Sequence, residues 1–338
     1  MSTGAFQMGH AANRRVQQEL EREQIGESEA RVYLRLLDSV HQTLQDAPDQ
    51  AVSNQALDEL FVSLRDLKMT ARPEAWKEFV ALGRQHPLAK LLHQDPFTFR
   101  AFSKPRGYAG DAEMMDYIYG REELWAPPPA EPVGRRVFDY TTLSPASEGV
   151  RARRAFVASR IDRLAEERNR PHILSIASGH LREASLSSAV RRRRTGRFVA
   201  LDADAQSAVE VHQCYASYGV ETVTASFRRL LTKKSDAGEF DLVYSTGLFD
   251  YLNQRTGRRL AASMFQMLRP GGCLLIANFL PGVRDIGYME TFMDWNLIYR
   301  TRHEMVDLTT DIPESEVKDV KLVSEECKNI IFLALTKN

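Results

Sequence analysis

The sequence predicts a doubly wound α/β sheet of seven strands, preceded by a helical N-terminal region. Three observations carry that prediction. Up to about Phe102 the apolar residues fall at helical spacings. From residue 172 onward, short β-rich runs alternate with helical stretches, which implies parallel βαβ units. The last two runs, KDVKLV (318–323) and NIIFLALT (329–336), are separated only by SEECK. That segment is too short for a crossover helix, so the two strands should form an antiparallel hairpin.

Taken in order, Glu27 to Ala47 places Val32, Leu36, Leu37, Val40 and Leu44 on one helical face. A second helix is expected from Ser53, as N-cap, through Leu57, Leu60, Phe61, Leu64 and Leu67. A third should start near Pro73 and bury Trp76, Phe79, Val80 and Leu82. Residues 10–25 are polar and read as a solvated helix or a mobile arm. The text APPPAEP (126–132) marks a loop or linker. Ser144-Pro145 opens a long helix to about Arg168, with Val150, Phe156, Ile161 and Leu164 inward. The strands then follow as HILSIA (172–177), RFVALD (197–202), TVTAS (222–226), FDLVYS (240–245) and CLLIANF (273–279), before the hairpin. The expected division is a helical cap over 1–143 and a sheet domain over 144–338.

Composition narrows the function classes. In 338 residues there are 45 Lys+Arg and 45 Asp+Glu, so the formal charge is zero. Zero charge speaks against a general nucleic-acid or membrane-surface binder. Hydrophobic residues at 43% supply enough material for a sizeable core. Only Cys214, Cys273 and Cys327 are present, which excludes a disulfide scaffold and paired-thiol zinc sites. The histidines show no metal-ligand spacing, the closest successive pairs being His86–His93 and His172–His180. The first twenty residues lack a signal-peptide apolar run, and the longest charge-free apolar stretch, 271–283, is too short to span a membrane. A cytoplasmic protein without a bound metal is expected.

In open α/β sheets, ligands bind beyond the carboxyl ends of the strands, where strand order reverses. The loop after the first strand, Ser175-Ile176-Ala177-Ser178-Gly179-His180-Leu181, resembles the first motif of class I S-adenosylmethionine (SAM) methyltransferases, acidic-x-Gly-x-Gly-x-Gly. Ser175, Ala177 and Leu181 depart from it, whereas Gly179 keeps the central position. The second strand ends in Leu201-Asp202-Ala203-Asp204, and Arg269-Pro270-Gly271-Gly272 precedes the fifth strand. Together with the C-terminal hairpin, these motifs are similar to that family over the sheet half. The resemblance implies a Rossmann-like methyltransferase fold with SAM as cofactor.

Residue by residue, the resemblance implies a cofactor site of Tyr108, Ala177, Gly179, Asp202, Ala203, Ser226, Phe227, Thr246 and Gly247. Asp202 would accept from the ribose hydroxyls, while Asp204 caps the next helix. Ser226 and Phe227, past the third strand, would meet adenine. A closer resemblance, over about 95–338, rests on Asp95-Pro96-Phe97, on Lys104-Pro105-Arg106-Gly107-Tyr108-Ala109-Gly110-Asp111, on GLFDYL (247–252), and on the stretch from Tyr288 to Arg300. These look like bacterial methyltransferases associated with methyl esters of 3-hydroxy fatty acids.

The chemistry is displacement at a sulfonium methyl carbon, so the protein mainly aligns the two reactants and excludes water. The acceptor is expected to be a small or medium organic molecule with a carboxylate oxygen as nucleophile. Its wall is assigned to Arg106, Tyr140, Asn278, Trp295, Tyr299 and Arg300, the arginines as anion anchors. Asp111 and His180 are the candidate bases for an acceptor that must lose a proton. N- or O-methylation of a heteroaromatic or peptide product is the alternative, and a degenerate methyltransferase acting as an interaction module is the second. A nicotinamide dehydrogenase is disfavoured, because its glycine signature is missing. The run Arg191 to Arg194 reads as a solvated helix end and not as a nucleic-acid site. A homodimer is left open.

Overall fold

The computed structural model describes residues 26–120, 128–232 and 239–338. Within it the chain divides into two compact units. The first comprises Met1–Ala109, Pro127–Thr141 and Arg284–Trp295, and the second comprises Gly110–Ala126, Thr142–Val283 and Asn296–Asn338. Residues 10–25 and the first part of the proline-rich stretch lie outside the described residues. The chain changes unit near the expected boundary at 143/144, between Thr141 and Thr142, and also at four other points.

The first unit is helical. Helices Glu27–Asp46, Gln50–Thr70, Pro73–Gln85, Pro87–Leu92, Pro96–Ser103 and Pro132–Thr141 are joined by Ile286–Phe292, which comes from far along the chain. Three of the first five begin with proline, where the absent N–H costs nothing. The second helix starts earlier than expected. Asp49 caps it by accepting from the Val52 N–H at 3.0 Å, and Ser53 lies inside, its hydroxyl donating to the Asp49 carbonyl. An aspartate four residues upstream outcompeted serine for the cap. Leu57, Leu60, Phe61 and Leu64 are buried, and Phe61 stacks on Tyr288 at 4.3 Å. Val80 and Leu82 of the third helix are only half-buried, whereas Trp76 and Phe79 are buried.

The second unit holds a seven-stranded sheet in the order β3-β2-β1-β4-β5-β7-β6. Its strands are β1 (Ile173–Ile176), β2 (Phe198–Asp202), β3 (Val220–Thr224), β4 (Phe240–Ser245), β5 (Leu268–Phe279), β6 (Val317–Ser324) and β7 (Ile330–Lys337). The first five are parallel, and β7 pairs antiparallel with both β5 and β6, as the short SEECK connection requires. Strand order reverses between β1 and β4, so a crevice for ligands is expected beyond their carboxyl ends.

Three sequence expectations shift. β3 lies two residues earlier than read, which leaves Ser226 and Phe227 in the turn beyond it. β5 begins at Leu268, and Pro-Gly-Gly is a bulge inside it, with the register jumping between Phe240 and Leu242. Gly271 at φ +70° lies among the three extra residues that β5 carries opposite Asp241. The helix after β1 splits into Glu183–Leu186 and Ser188–Arg191, because Ser187 caps a second start with its hydroxyl. The Pro145–Glu167 helix runs as expected from Ser144, and its Phe156 stacks on Phe332 of β7 at 4.2 Å. Among the described residues no helix is long and apolar enough to cross a membrane.

Candidate functional site

The loop after β1 carries the clearest structural signature. Ala177, Gly179 and Leu181 stand at φ +53°, +52° and +52°. These are the three positions that the family motif fills with glycine. The backbone is left-handed at all three, although two of them carry side chains. Each non-glycine residue held there costs roughly 1–2 kcal/mol, so this loop is conformationally strained. The conformation brings the Gly179 N–H onto the Asp202 carboxylate, 2.7 Å away. Space is also short: a Cβ on Gly179 would lie 3.3 Å from the Ala112 Cβ.

Asp202 closes β2 and is 9% exposed. One carboxylate oxygen accepts from Gly179, the other from the Asp204 N–H at 2.8 Å. Two oxygens offer about four lone-pair sites, so acceptor capacity remains for a diol. Asp204 caps the Ala205–Tyr215 helix, accepting from the Gln206 and Ser207 N–H groups. Ala203, between them, is exposed. Thr246 and Gly247 follow β4 at the reversal point, and a Cβ on Gly247 would meet nothing within 4 Å. Ser226 is exposed and its hydroxyl accepts from the Arg228 N–H, while Phe227 packs half-buried on the core. An oriented carboxylate, a glycine-type loop and open space at the β4 end fit an adenosine-bearing cofactor at this edge.

The helix Ala112–Tyr119 brings a polar network to the same loop. Asp111 is its N-cap, 1% exposed, accepting from the Met114 N–H at 2.8 Å. From this helix Asp116 reaches His180 Nδ1 at 2.8 Å and receives a bidentate Arg182 at 2.8 and 2.6 Å. Arg182 also bonds Glu210 at 2.8 Å. Burial would raise the Asp116 carboxyl, but the hydrogen bonds from Arg182 and His180 outweigh it and hold it below its ordinary value. Sequence reasoning named His180 and missed Asp116 and Arg182. No spacing signal joins groups 64 and 66 residues apart.

Arg300 and Asn278, both expected to contact the acceptor, are spent on bonds within this chain. Arg300, 1% exposed, donates from Nε to Gln254, from one terminal nitrogen to the Phe249 carbonyl and Asn278 Oδ1, and from the other to the Leu252 carbonyl. Its assignment as an anion anchor is therefore corrected: its three nitrogens are committed to this chain. Asn278, fully buried, donates to the Phe279 and Ile298 carbonyls at 2.9 and 2.8 Å. These bonds fasten the 296–300 segment to the end of β5. Asp250 joins them by accepting from the Phe279 N–H, and its burial pushes the carboxyl up to about 6 against the Phe279 bond and the charges of Arg153 and Arg300.

The remaining expected residues fall elsewhere. Tyr299 is half-buried with its ring 6.5 Å from that of Phe279. Tyr108 (40% exposed), Arg106, Tyr140 and Trp295 belong to the helical unit. There Tyr140 donates to Asp58 at 2.6 Å and accepts from Arg284 at 2.7 Å, and burial raises its hydroxyl pKa. Trp295 is buried, with its backbone N–H on the Met289 carbonyl.

Residues 173–272 match a family model described as a methyltransferase domain. That span holds β1 to β4, the Asp202 carboxylate and the start of β5. No curated protein matches the chain. Among solved structures, a possible exported protein from Bordetella parapertussis is 15% identical, covering 93% of this chain and 99% of that one at a TM-score of 0.54. At that identity the likeness extends to the fold. The N-methyltransferase NodS from Bradyrhizobium japonicum, in complex with S-adenosyl-L-homocysteine (SAH), is 17% identical, with 55% and 85% of the two chains covered and a TM-score of 0.40. Magnesium protoporphyrin IX methyltransferase from Synechocystis, with SAH bound, is 10% identical, with 65% and 93% covered and a TM-score of 0.43.

Proposed function

We propose that this chain, whose residues 173–272 form a SAM-dependent methyltransferase domain, methylates a carboxylate oxygen of a small or medium organic acid, fatty-acid-like or an intermediate of a natural product. SAM supplies an activated methyl group on a sulfonium, and the protein's task is to bind, orient and exclude water. Asp202 is the ribose acceptor, and Ala177, Gly179, Thr246 and Gly247 line the approach of the cofactor. The observation that carries the acceptor class is the engagement of the candidate bases. Asp111 is spent on a helix cap and the Tyr140 hydroxyl on Asp58. An acceptor carboxyl with a pKa of about 4.3 is already ionised at pH 7 and needs no base.

N- or O-methylation is the second reading, and the His180–Asp116 pair favours it. A carboxylate on Nδ1 fixes the tautomer whose other ring nitrogen accepts a proton. Labelled SAM, incubated with the protein and extract of the source organism, separates the two. A methyl ester releases the label under mild alkali, and its formation is flat in rate from pH 6 to 9. A label that survives alkali, or a rate that climbs with an apparent pKa inside that window, refutes the carboxylate acceptor and selects the second reading.

A further inference from the structure

In the helical unit, the helix Pro96–Ser103 turns two large rings toward solvent. Its inner face is fixed: Asp95, fully buried, caps it by accepting from the Phe97 and Thr98 N–H groups, and Phe97, Thr98 and Ala101 are buried. Phe99 and Phe102, three residues apart and so on one side of the helix, are 51% and 36% exposed. They form one patch, since both rings lie against that of His93, at 6.0 and 4.4 Å. His93 in turn donates from Nε2 to the Phe292 carbonyl at 2.8 Å, which holds its ring in place. Joined apolar surface on a fixed base marks a place of contact, whereas single exposed rings would need no explanation.

Cations border the patch. Residues 96–110 contain Arg100, Lys104 and Arg106 and no acidic residue. Arg84, tied to the Glu290 and Thr291 carbonyls, lies 6.0 Å over the Phe102 ring. Asp294 pairs with both Arg84 and Lys104, one carboxylate against two cations, so the border stays positive. The zero formal charge of the whole chain does not describe this face. Exposed rings beside cations suit the headgroup region of a bilayer, where the rings leave water and the cations meet anionic lipid. An apolar protein groove would take the rings but gain nothing from the cations. We propose that this face of the helical unit docks on an anionic lipid surface, with Phe99 and Phe102 entering the headgroup layer. The docking is independent of cofactor and acceptor.

The test is co-sedimentation of the full chain with vesicles of phosphatidylcholine, and with vesicles in which phosphatidylserine replaces part of it. The wild type should pellet with the second at least fivefold more than with the first. Salt at about 0.5 M, which shortens the Debye length to a few ångströms, should release most of it. Phe99→Ser combined with Phe102→Ser should reduce binding at least fivefold at an unchanged melting temperature. Phe99→Trp keeps an aromatic ring and covers the case in which the double variant misfolds. Its emission should shift to the blue on phosphatidylserine vesicles beyond any change in the wild type. Equal binding to both vesicles, binding to neither, or binding that salt and the double variant leave unchanged overturns the proposal. A wild-type dimer that the double variant converts to monomer would show a second copy on the patch, and overturns it too.

Discussion

The two units bury polar groups for different ends. In the helical unit Asp95 is fully buried, and its carboxylate takes the Phe97 and Thr98 N–H groups and the Thr98 and Thr141 hydroxyls. Glu290 likewise joins helices, accepting from Trp76 and Lys68 at 2.7 Å each. These bonds sew elements together. In the sheet unit Arg153, Glu183, Asp202, Asp250 and Arg300 gather around the carboxyl ends of the strands. Some of them fasten loops there, and others hold charge at the crevice. Buried charge that ties helices is scaffold, whereas buried charge set at the reversal of strand order is placed where a ligand binds.

The largest expected effect breaks the scaffold side of that contrast. A Cβ on Gly287 would lie 2.5 Å from the backbone carbonyl of Leu64, which cannot move without parting two helices. Gly287→Ala should destabilise the protein by about 3 kcal/mol in a denaturant melt. Gly247→Ala, facing open space in the sheet unit, should cost less than about 0.5 kcal/mol. Equal losses from the two would erase the distinction between a packed helical unit and an open crevice.

Next in size is a pH effect common to both units. Burial pushes Asp95 and Asp250 each up to about 6 from an ordinary 3.8, despite the hydrogen bonds they accept. Between pH 4 and 6 the unfolded chain releases protons that the folded chain retains. Stability from these groups therefore falls as pH rises through that window and is lost by pH 7. Asp95→Asn and Asp250→Asn should each remove on the order of 2 kcal/mol of that slope, measured as the difference between melts at pH 4 and pH 7. An unaltered slope in both would show that neither carboxyl is shifted.

The β1 loop yields a smaller effect with the sign reversed. Ala177→Gly relieves a left-handed alanine and should stabilise by about 0.5–1 kcal/mol. A loss of stability would mean that the methyl group packs better than the strain costs. Smallest of all, Arg197→Ala breaks an exposed pair with Glu221, at 3.1 Å, and should shift stability by less than about 0.5 kcal/mol.

Much of the fold was legible from local pattern. Helical spacing, β-rich runs and the short SEECK link follow from how residues pack on their immediate neighbours, and so the strand runs and the closing hairpin could be read directly. Element edges were less legible, because several residues compete for one role: Asp49 displaced Ser53 as a cap, and the Pro-Gly-Gly stretch became a bulge instead of a turn. The apposition of Gly179 with Asp202 was readable because each lies past or at a strand end within a short motif. Arg300 looked like an outward anchor, since a lone arginine in sequence carries no sign of where its five donors will go.

By itself, then, the sequence determined which segments form strands, in what order they alternate with helices, and which small residues end them. The left-handed backbone at Ala177 and Leu181 and the Asp116–His180–Arg182 network were decided only in the tertiary structure. The physical reason is range. Propensity and periodicity act over a few residues, whereas desolvation and charge act on whatever the folded chain brings within a few ångströms, however far apart in sequence.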